Sequence, residues 1–203
     1  RTIFYTKEGI FSTPVNVCSK FIVVFIIFGA FLERTGIGEF FINISNAVVG
    51  GFSGGPAKVA VVASAMEGMV SGSSVGNTVT TGSVTIPMMK KTGYKGEFAG
   101  AVEAAASTGG QIMPPIMGAA AFLMADFVQL PYSTIAVKAI LPSVLYFAGI
   151  FITVHLEAKK EGLRGLSKEE LPKILPLLKQ LYLLTPLVLL VYLVGTSQRS
   201  IQY

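Results

Sequence analysis

Cysteine, histidine and tryptophan are nearly missing from this chain, which has one Cys, one His and no Trp among 203 residues. A lone thiol, Cys18 in an apolar context, excludes an intrachain disulfide and leaves a zinc cluster without ligands. Charge is scarce too, at 13% of residues against 52% hydrophobic ones. That balance lies far from a soluble domain and reads as a membrane protein. The net charge of +5 does not point to nucleic acid. Its lysines sit in short groups between apolar segments, as at Lys90-Lys91 and Lys159-Lys160, which suits anchoring at a cytoplasmic membrane face. The chain starts at Arg1 and stops at Tyr203 just after an apolar run, so it is expected to be a piece of a longer polypeptide.

Two kinds of chemistry lack their parts. GGFSGG at 50–55 has no following GK[ST], so no phosphate loop is expected. A serine nucleophile near Ser71–Ser74 would need His155 as its base, but His155 falls at a helix end beside Lys159, away from those serines. No catalytic residue, covalent step or cofactor is expected.

What is present is a series of apolar segments. VCSKFIVVFIIFGAFLE, residues 17–33, is a candidate transmembrane helix. GIGEFFINISNAVVGG places Ile37, Phe40, Phe41, Ile44 and Val48 at helical spacing, which fits either a helix at the membrane interface or one packed in a bundle. Next come two apolar arms, PAKVAVVASAMEGMV (56–70) and SVTIPMMKK (83–91), around the polar run VSGSSVGNTVTTG (70–82). Counted to a tip near Ser71–Ser74, each arm has about 15 residues, or roughly 22 Å of helix, against a hydrocarbon layer of about 30 Å. Neither arm crosses alone, and one continuous helix through 57–89 would put Gly72, Gly76 and Gly82 at mid-membrane. A re-entrant hairpin with its tip near Ser71–Ser74 is the favoured reading. Such backbone must line a cavity or be buried in protein.

EFAGAVEAAASTGGQIMPPIMGAAAFLMAD, residues 97–126, is long enough to cross but is broken at its centre. Gly109-Gly110 loosens the backbone and Pro114-Pro115 removes two N–H donors. Two half-helices joined by an unwound link at Gly109–Met113 are expected, the second starting near Pro114 at its first helical position. Residues 133–155 and 174–194 are further spans, with Lys179 able to snorkel. The loop at 156–173 carries five basic residues and the opposite loop, DFVQLPY, none. The first is therefore cytoplasmic and the second faces the other side. The fold class is thus an all-α polytopic membrane protein, divided into 1–53, a hairpin at 54–92, a broken helix at 93–127, and two more spans in 128–203.

A hairpin tip and an unwound helix leave backbone groups unpaired beside half-helix ends of opposite partial charge. The ends near Met69–Ser71 and Ser107–Gly109 present carbonyls, which suit sodium. The starts near Ser74 and Pro114 present amides, which suit a carboxylate. Ser73, Ser74, Asn77, Thr78, Thr108 and Gln111 add side-chain donors and oxygens. Discontinuous helices meeting at mid-membrane are expected of secondary transporters. The plainer reading is close packing through Gly72–Gly76 and Gly96–Gly100, both of GxxxG spacing. Glu67 and Glu103 are acids at depth. For Glu103 a cation site and a packing hydrogen bond both stand, while Glu67 reads as structural or interfacial rather than as a ligand-binding group.

The SGS-containing hairpin, the segment TTGSVTIPMMK and EAAASTGGQIMPP, in that order across residues 54–127, resemble the large permease subunit of tripartite ATP-independent periplasmic (TRAP) transporters. The likeness is greatest to the fused permeases that work with TAXI-type solute-binding proteins. The resemblance implies a sodium-driven, elevator-type importer of organic anions, mostly carboxylates, in the inner membrane. Substrate would arrive from a periplasmic solute-binding protein. Its transport domain would be half of an inverted repeat, partnered by the rest of the permease and a small membrane subunit. Carried over residue by residue, it makes Ser71, Gly72, Ser73, Ser74, Asn77, Thr108, Gly109, Gln111, Met113 and Pro114 the candidate sodium and substrate positions, with Ser71, Gly72, Ser73, Thr108 and Gly109 for the ion. The chain departs from the pattern in two ways. No second SGS-type hairpin follows residue 126, and Glu67 stands where an apolar or aromatic residue is expected.

Overall fold

The computed structural model describes residues 13–167 and 169–196. Its first helical run is α1 (Thr13–Val17), a π-helical turn at Cys18–Ile22, and α2 (Val23–Arg34). The candidate span at 17–33 is therefore helical with one over-wide turn in it. The run stops where the Thr35 hydroxyl donates to Leu32 O at 2.6 Å and Gly36 turns left-handed at φ 84°, a conformation that glycine adopts without a Cβ penalty.

Helix α3 (Ile37–Val49) decides between the two readings of its amphipathic pattern. Ile37, Phe40 and Phe41 are fully buried and pack with Leu32, Val70, Leu177 and Leu187. It is a member of the bundle.

The two polar-linked arms are α4 (Gly55–Ser71) and α5 (Ser74–Lys91). Pro56 sits in the first turn of α4, where its missing N–H costs nothing. The arms run antiparallel, joined by Gly72-Ser73, and are tied side by side by Asn77 Nδ2 donating to Ser64 O at 2.8 Å. No continuous helix spans 57–89. Small side chains let α4 sit at the centre: Ala57, Val59, Ala60 and Ala63 have no exposed surface.

Helix α6 (Gly96–Gly109) ends in a 3-10 turn, Gly110–Ile112. Residues 113–118 are non-helical, and α7 (Ala119–Val128) follows. The break is where the sequence places it, but the restart is not. Gly118 rather than Pro114 precedes the second half-helix. The unwound stretch is longer because tertiary contacts hold it open: Gly118 N donates to Gln111 O at 2.7 Å and Tyr132 OH to Pro115 O at 2.8 Å.

Helix α8 (Tyr132–Lys160) is 29 residues long, or about 43 Å, whereas α4 at 17 residues measures about 26 Å. One end of α8 meets the open end of the hairpin, where Lys58 Nζ donates to His155 Nδ1 at 3.0 Å. Further along, Ser143 Oγ donates to Ile112 O at 2.6 Å, level with the break. The hairpin thus stops part way along α8. The chain closes with α9 (Ile174–Lys179), a 3-10 turn at Gln180–Leu184, and α10 (Thr185–Thr196). Tyr132–Lys160 and Ile174–Leu193 are long and apolar enough to cross a membrane, and little of either is buried, 17% and 11%.

Candidate functional site at the hairpin turn and the helix break

The hairpin turn is built from three residues with separate tasks. Gly72, at φ 58°, ends α4 in the left-handed conformation, and its N–H bonds Gly68 O at 3.1 Å, as a C-terminal cap requires. Ser71 Oγ donates back to Glu67 O at 3.2 Å. Ser73 caps α5, its Oγ accepting from Gly76 N at 3.2 Å, which satisfies one amide of the helix start.

The turn docks on the non-helical stretch. A Cβ on Gly72 would lie 2.7 Å from Ile116 O and 2.8 Å from Met117 O, and one on Gly118 would lie 3.2 Å from Gly72 O. Deeper in, a Cβ on Gly68 would meet Gly110 Cα at 2.2 Å. These backbones touch because neither residue has a side chain. Of the two GxxxG pairs, Gly72 alone makes such a backbone contact. Gly100 has open space beside it, and Gly76 faces only Ser73 and Glu33 side chains.

Beside the docked turn lies a cleft of about 300 Å³ lined by Ser71, Gly72, Ser73, Ser74 and Val75 from the hairpin, by Gln111 and residues 116–119 from the break, and by Ile22, Phe25, Ile26 and Phe122. Gln111 Nε2 donates to Ser74 Oγ at 2.6 Å across it. Two helix starts open onto this cleft. One is α5 at Ser74. The other is α7 at Ala119, where Gly118 supplies no side-chain cap, so amide donors are left for an acceptor.

Of the expected positions, Ser71, Gly72, Ser73, Ser74 and Gln111 come together here, and the rest lie elsewhere. Asn77 is buried between the hairpin arms. Thr108 Oγ1 donates to Ala104 O at 2.7 Å on the exposed side of α6. Gly109 lies under the ring of Tyr146, 2.5 Å from where a Cβ would stand. Met113 and Pro114 line a separate, apolar cavity of about 330 Å³ with Met69, Pro115, Ala136 and Ile140. Residues 116–119 were not legible as site residues. The one signal was Gly118 ahead of the run AAAF, which marks a helix start that needs no side chain.

The two buried acids differ completely. Glu103 has no exposed surface and is surrounded by hydroxyls. Oε1 accepts from Ser64 at 3.1 Å, from Ser107 at 3.0 Å and from Thr81, and Oε2 from Thr85 at 2.5 Å. Glu67 is equally buried, yet neither of its oxygens has a hydrogen-bond partner. Its Oε2 fits against Gly38, where a Cβ would come within 3.3 Å.

An antiparallel helical hairpin docked on a broken helix, inside an all-α chain with lightly buried apolar spans, defines a polytopic membrane permease. Residues 6–202 match the family model described as Tripartite ATP-independent periplasmic transporter, DctM component, and the chain belongs to that family. That family is one of transporter permease components of the inner membrane, not of enzymes. The C4-dicarboxylate TRAP transporter large permease protein DctM of Vibrio cholerae is 32% identical over 139 residues, 68% of this chain and 30% of that protein. The sialic acid TRAP transporter large permease protein SiaM of the same species is 24% identical over 168 residues, 82% of this chain and 39% of the relative. The isethionate TRAP transporter permease protein DctMQ of Oleidesulfovibrio alaskensis is 27% identical over 146 residues, 70% and 22% of the two chains. The chain spans about a third of the length of the curated relatives it matches.

Proposed function

We propose that this chain is the part of a sodium-coupled permease that holds one half of the substrate site for an organic anion, a carboxylate. The observation that carries this reading is the cleft at the hairpin turn. Two helix starts, at Ser74 and Ala119, open onto it, and helix starts attract anions through free amides and the positive end of the dipole. Ser73, Ser74 and Gln111 add side-chain hydroxyl and amide donors. The names of the relatives, for C4-dicarboxylate, sialic acid and isethionate, all denote organic anions.

For the coupling ion, the carbonyl end of α4 at Ser71 and Gly72, with Ser73, offers hard oxygen ligands beside the cleft. Thr108 and Gly109 stand at the matching end of α6. The hairpin, shorter than α8 by about 18 Å of helix, is re-entrant in this reading. Its tip is carried past a fixed scaffold in an elevator motion. The remaining half of the permease, a small membrane subunit fused or separate, and a periplasmic TAXI-type solute-binding protein complete the importer.

A second reading, a non-transporting scaffold held by glycine packing, draws support from the Gly68–Gly110 contact. Uptake of labelled dicarboxylate or glutamate by the full-length permease with its binding protein in proteoliposomes separates the two. Uptake that needs an inward sodium gradient, and a weakened sodium response in Ser73→Ala at equal expression, are expected. Uptake indifferent to sodium overturns the coupling, and a complex that assembles without any uptake favours the scaffold.

A further inference from the structure

We infer that a cavity at the end of α8 is a site for the phosphate of an anionic phospholipid, held by Lys159 and Arg164 on the membrane face whose loops carry the positive charge. The cavity measures about 350 Å³, and Ser53, Gly162, Leu163 and Gly165 line it with those two side chains. None of its lining residues is acidic, and among the described residues the one ion pair is Lys160–Glu157. Lys159 and Arg164 are thus two cations without an acid, lining one space.

The walls are held in place. The chain turns off α8 at Gly162, left-handed at φ 67°, and folds back on the connection between α3 and α4. There Leu166 N donates to Gly50 O at 2.9 Å, Ser53 Oγ donates to Leu163 O at 3.0 Å, and a Cβ on Gly165 would lie 2.5 Å from Gly51 O. The same turn removes groups that would repel an anion. A helix C-terminus presents free carbonyls, but here Glu157 O, Ala158 O and Lys159 O accept from Glu161 N, Leu163 N and Gly162 N at 2.9, 2.9 and 3.3 Å. One turn back along α8 lies more unbalanced charge. Lys58 is 3% exposed, and its Nζ donates to His155 Nδ1 at 3.0 Å while standing 5.3 Å and 5.8 Å from the ring centroids of Phe151 and Phe52. A ring nitrogen and two aromatic faces orient this ammonium without cancelling its charge.

The chemistry selects the ligand. A guanidinium and an ammonium suit a phosphate, the first through its planar fork and the second as a point charge, and basic pockets on this face of a membrane protein take lipid head groups. The neighbouring surface sets the source. Ile152 and Leu156, one helical turn apart on α8 and leading to Lys159 and Lys160, are exposed, as is Phe52 beside Ser53. Acyl chains can lie along that apolar strip while the phosphate reaches the two cations. A free phosphate would leave the strip unused.

The test counts lipids held by the purified, delipidated full-length permease, by native mass spectrometry during titration with phosphatidylglycerol or phosphatidylcholine. These lipids share the phosphate and differ in net charge. The expected result is a tight component of one phosphatidylglycerol per permease that phosphatidylcholine does not fill. Arg164→Gln and Lys159→Gln are each expected to weaken it about fivefold, and Arg164→Lys to keep most of it. Both residues are exposed, so the exchanges leave the packed interior alone. Lys179→Gln, an exposed charge at the end of α9, measures the general pull of a basic surface. An equal loss in Lys179→Gln, equal retention of the two lipids, or unchanged retention in both Arg164→Gln and Lys159→Gln overturns the site. Displacement of the bound lipid by inorganic phosphate alone overturns the lipid as its occupant. The site stands or falls with lipid retention, whatever drives uptake.

Discussion

The hairpin with the first half-helix and the two long spans differ in where they put their polar and apolar groups. Helices α4, α5 and α6 bury Ser64, Asn77, Thr81, Thr85, Glu103 and Ser107 against one another. Helix α8 and the run from Ile174 turn Val137, Leu141, Leu145, Leu175 and Val188 outward. A water-soluble bundle is arranged the other way round. With hydrocarbon outside there is no gain in burying leucine, and association depends on close backbones and internal hydrogen bonds. The inner region is thus held by fit and by polar pairing, and the outer region by its match to lipid.

Substitutions can break that contrast, in descending order of effect. Gly68→Val sets a side chain against the Gly110 backbone, with no flexible group to yield. It is expected to cost about 3 kcal/mol or more, read as loss of folded full-length permease in a detergent melting series. Glu67→Leu goes the opposite way. It removes a buried carboxylate with neither oxygen paired and is expected to stabilise by about 2 kcal/mol, read as a raised melting temperature. An unchanged or lowered temperature would mean that Glu67 has a partner outside this chain.

Tyr146→Phe deletes the hydroxyl that donates to Ala105 O at 2.9 Å and is expected to cost about 1 kcal/mol in the same assay. Leu145→Ala, on the outer face of the same helix, is expected to stay within about 0.5 kcal/mol. Equal effects of these neighbours would erase the distinction between the two regions.

The smallest effect belongs to the loop before α9. Hydrogen bonds from the Ser167 N–H, at 3.0 Å, and then from its hydroxyl, at 2.9 Å, hold the Glu170 carboxyl below its usual range. A lowered folded value stabilises the loop turn at pH above the ordinary carboxylate range, about 4.3, and the gain is lost as pH falls through the folded value. Protease cleavage of the 161–173 loop is expected to rise only in acid, and in Glu170→Gln to be high at every pH.

How much was legible depends on whether a feature is local. The hairpin followed from arm length against membrane thickness, and the break from Gly109-Gly110 and Pro114-Pro115, all neighbours in sequence. The restart at Ala119 did not, because Tyr132, a residue of the following helix, helps to hold the stretch open. The surroundings of Glu103 were equally hidden. Ser64, Thr81 and Thr85 come from two other helices, and nothing near Glu103 in sequence except Ser107 announces them. Gly68 stands four residues before Gly72, a spacing that the sequence shows, but nothing in it names Gly110 as the partner. Asn77, expected at the turn, is instead a tie between the hairpin arms, since one helical turn past the tip already faces inward.

Gly72 has a mechanical consequence. Its backbone rests on the carbonyls of Ile116 and Met117, and its own carbonyl lies against Gly118. Parting the tip from the break would separate these backbones, so the two stretches share one surface with no side chain between them, like a latch cut from the same plate as the door.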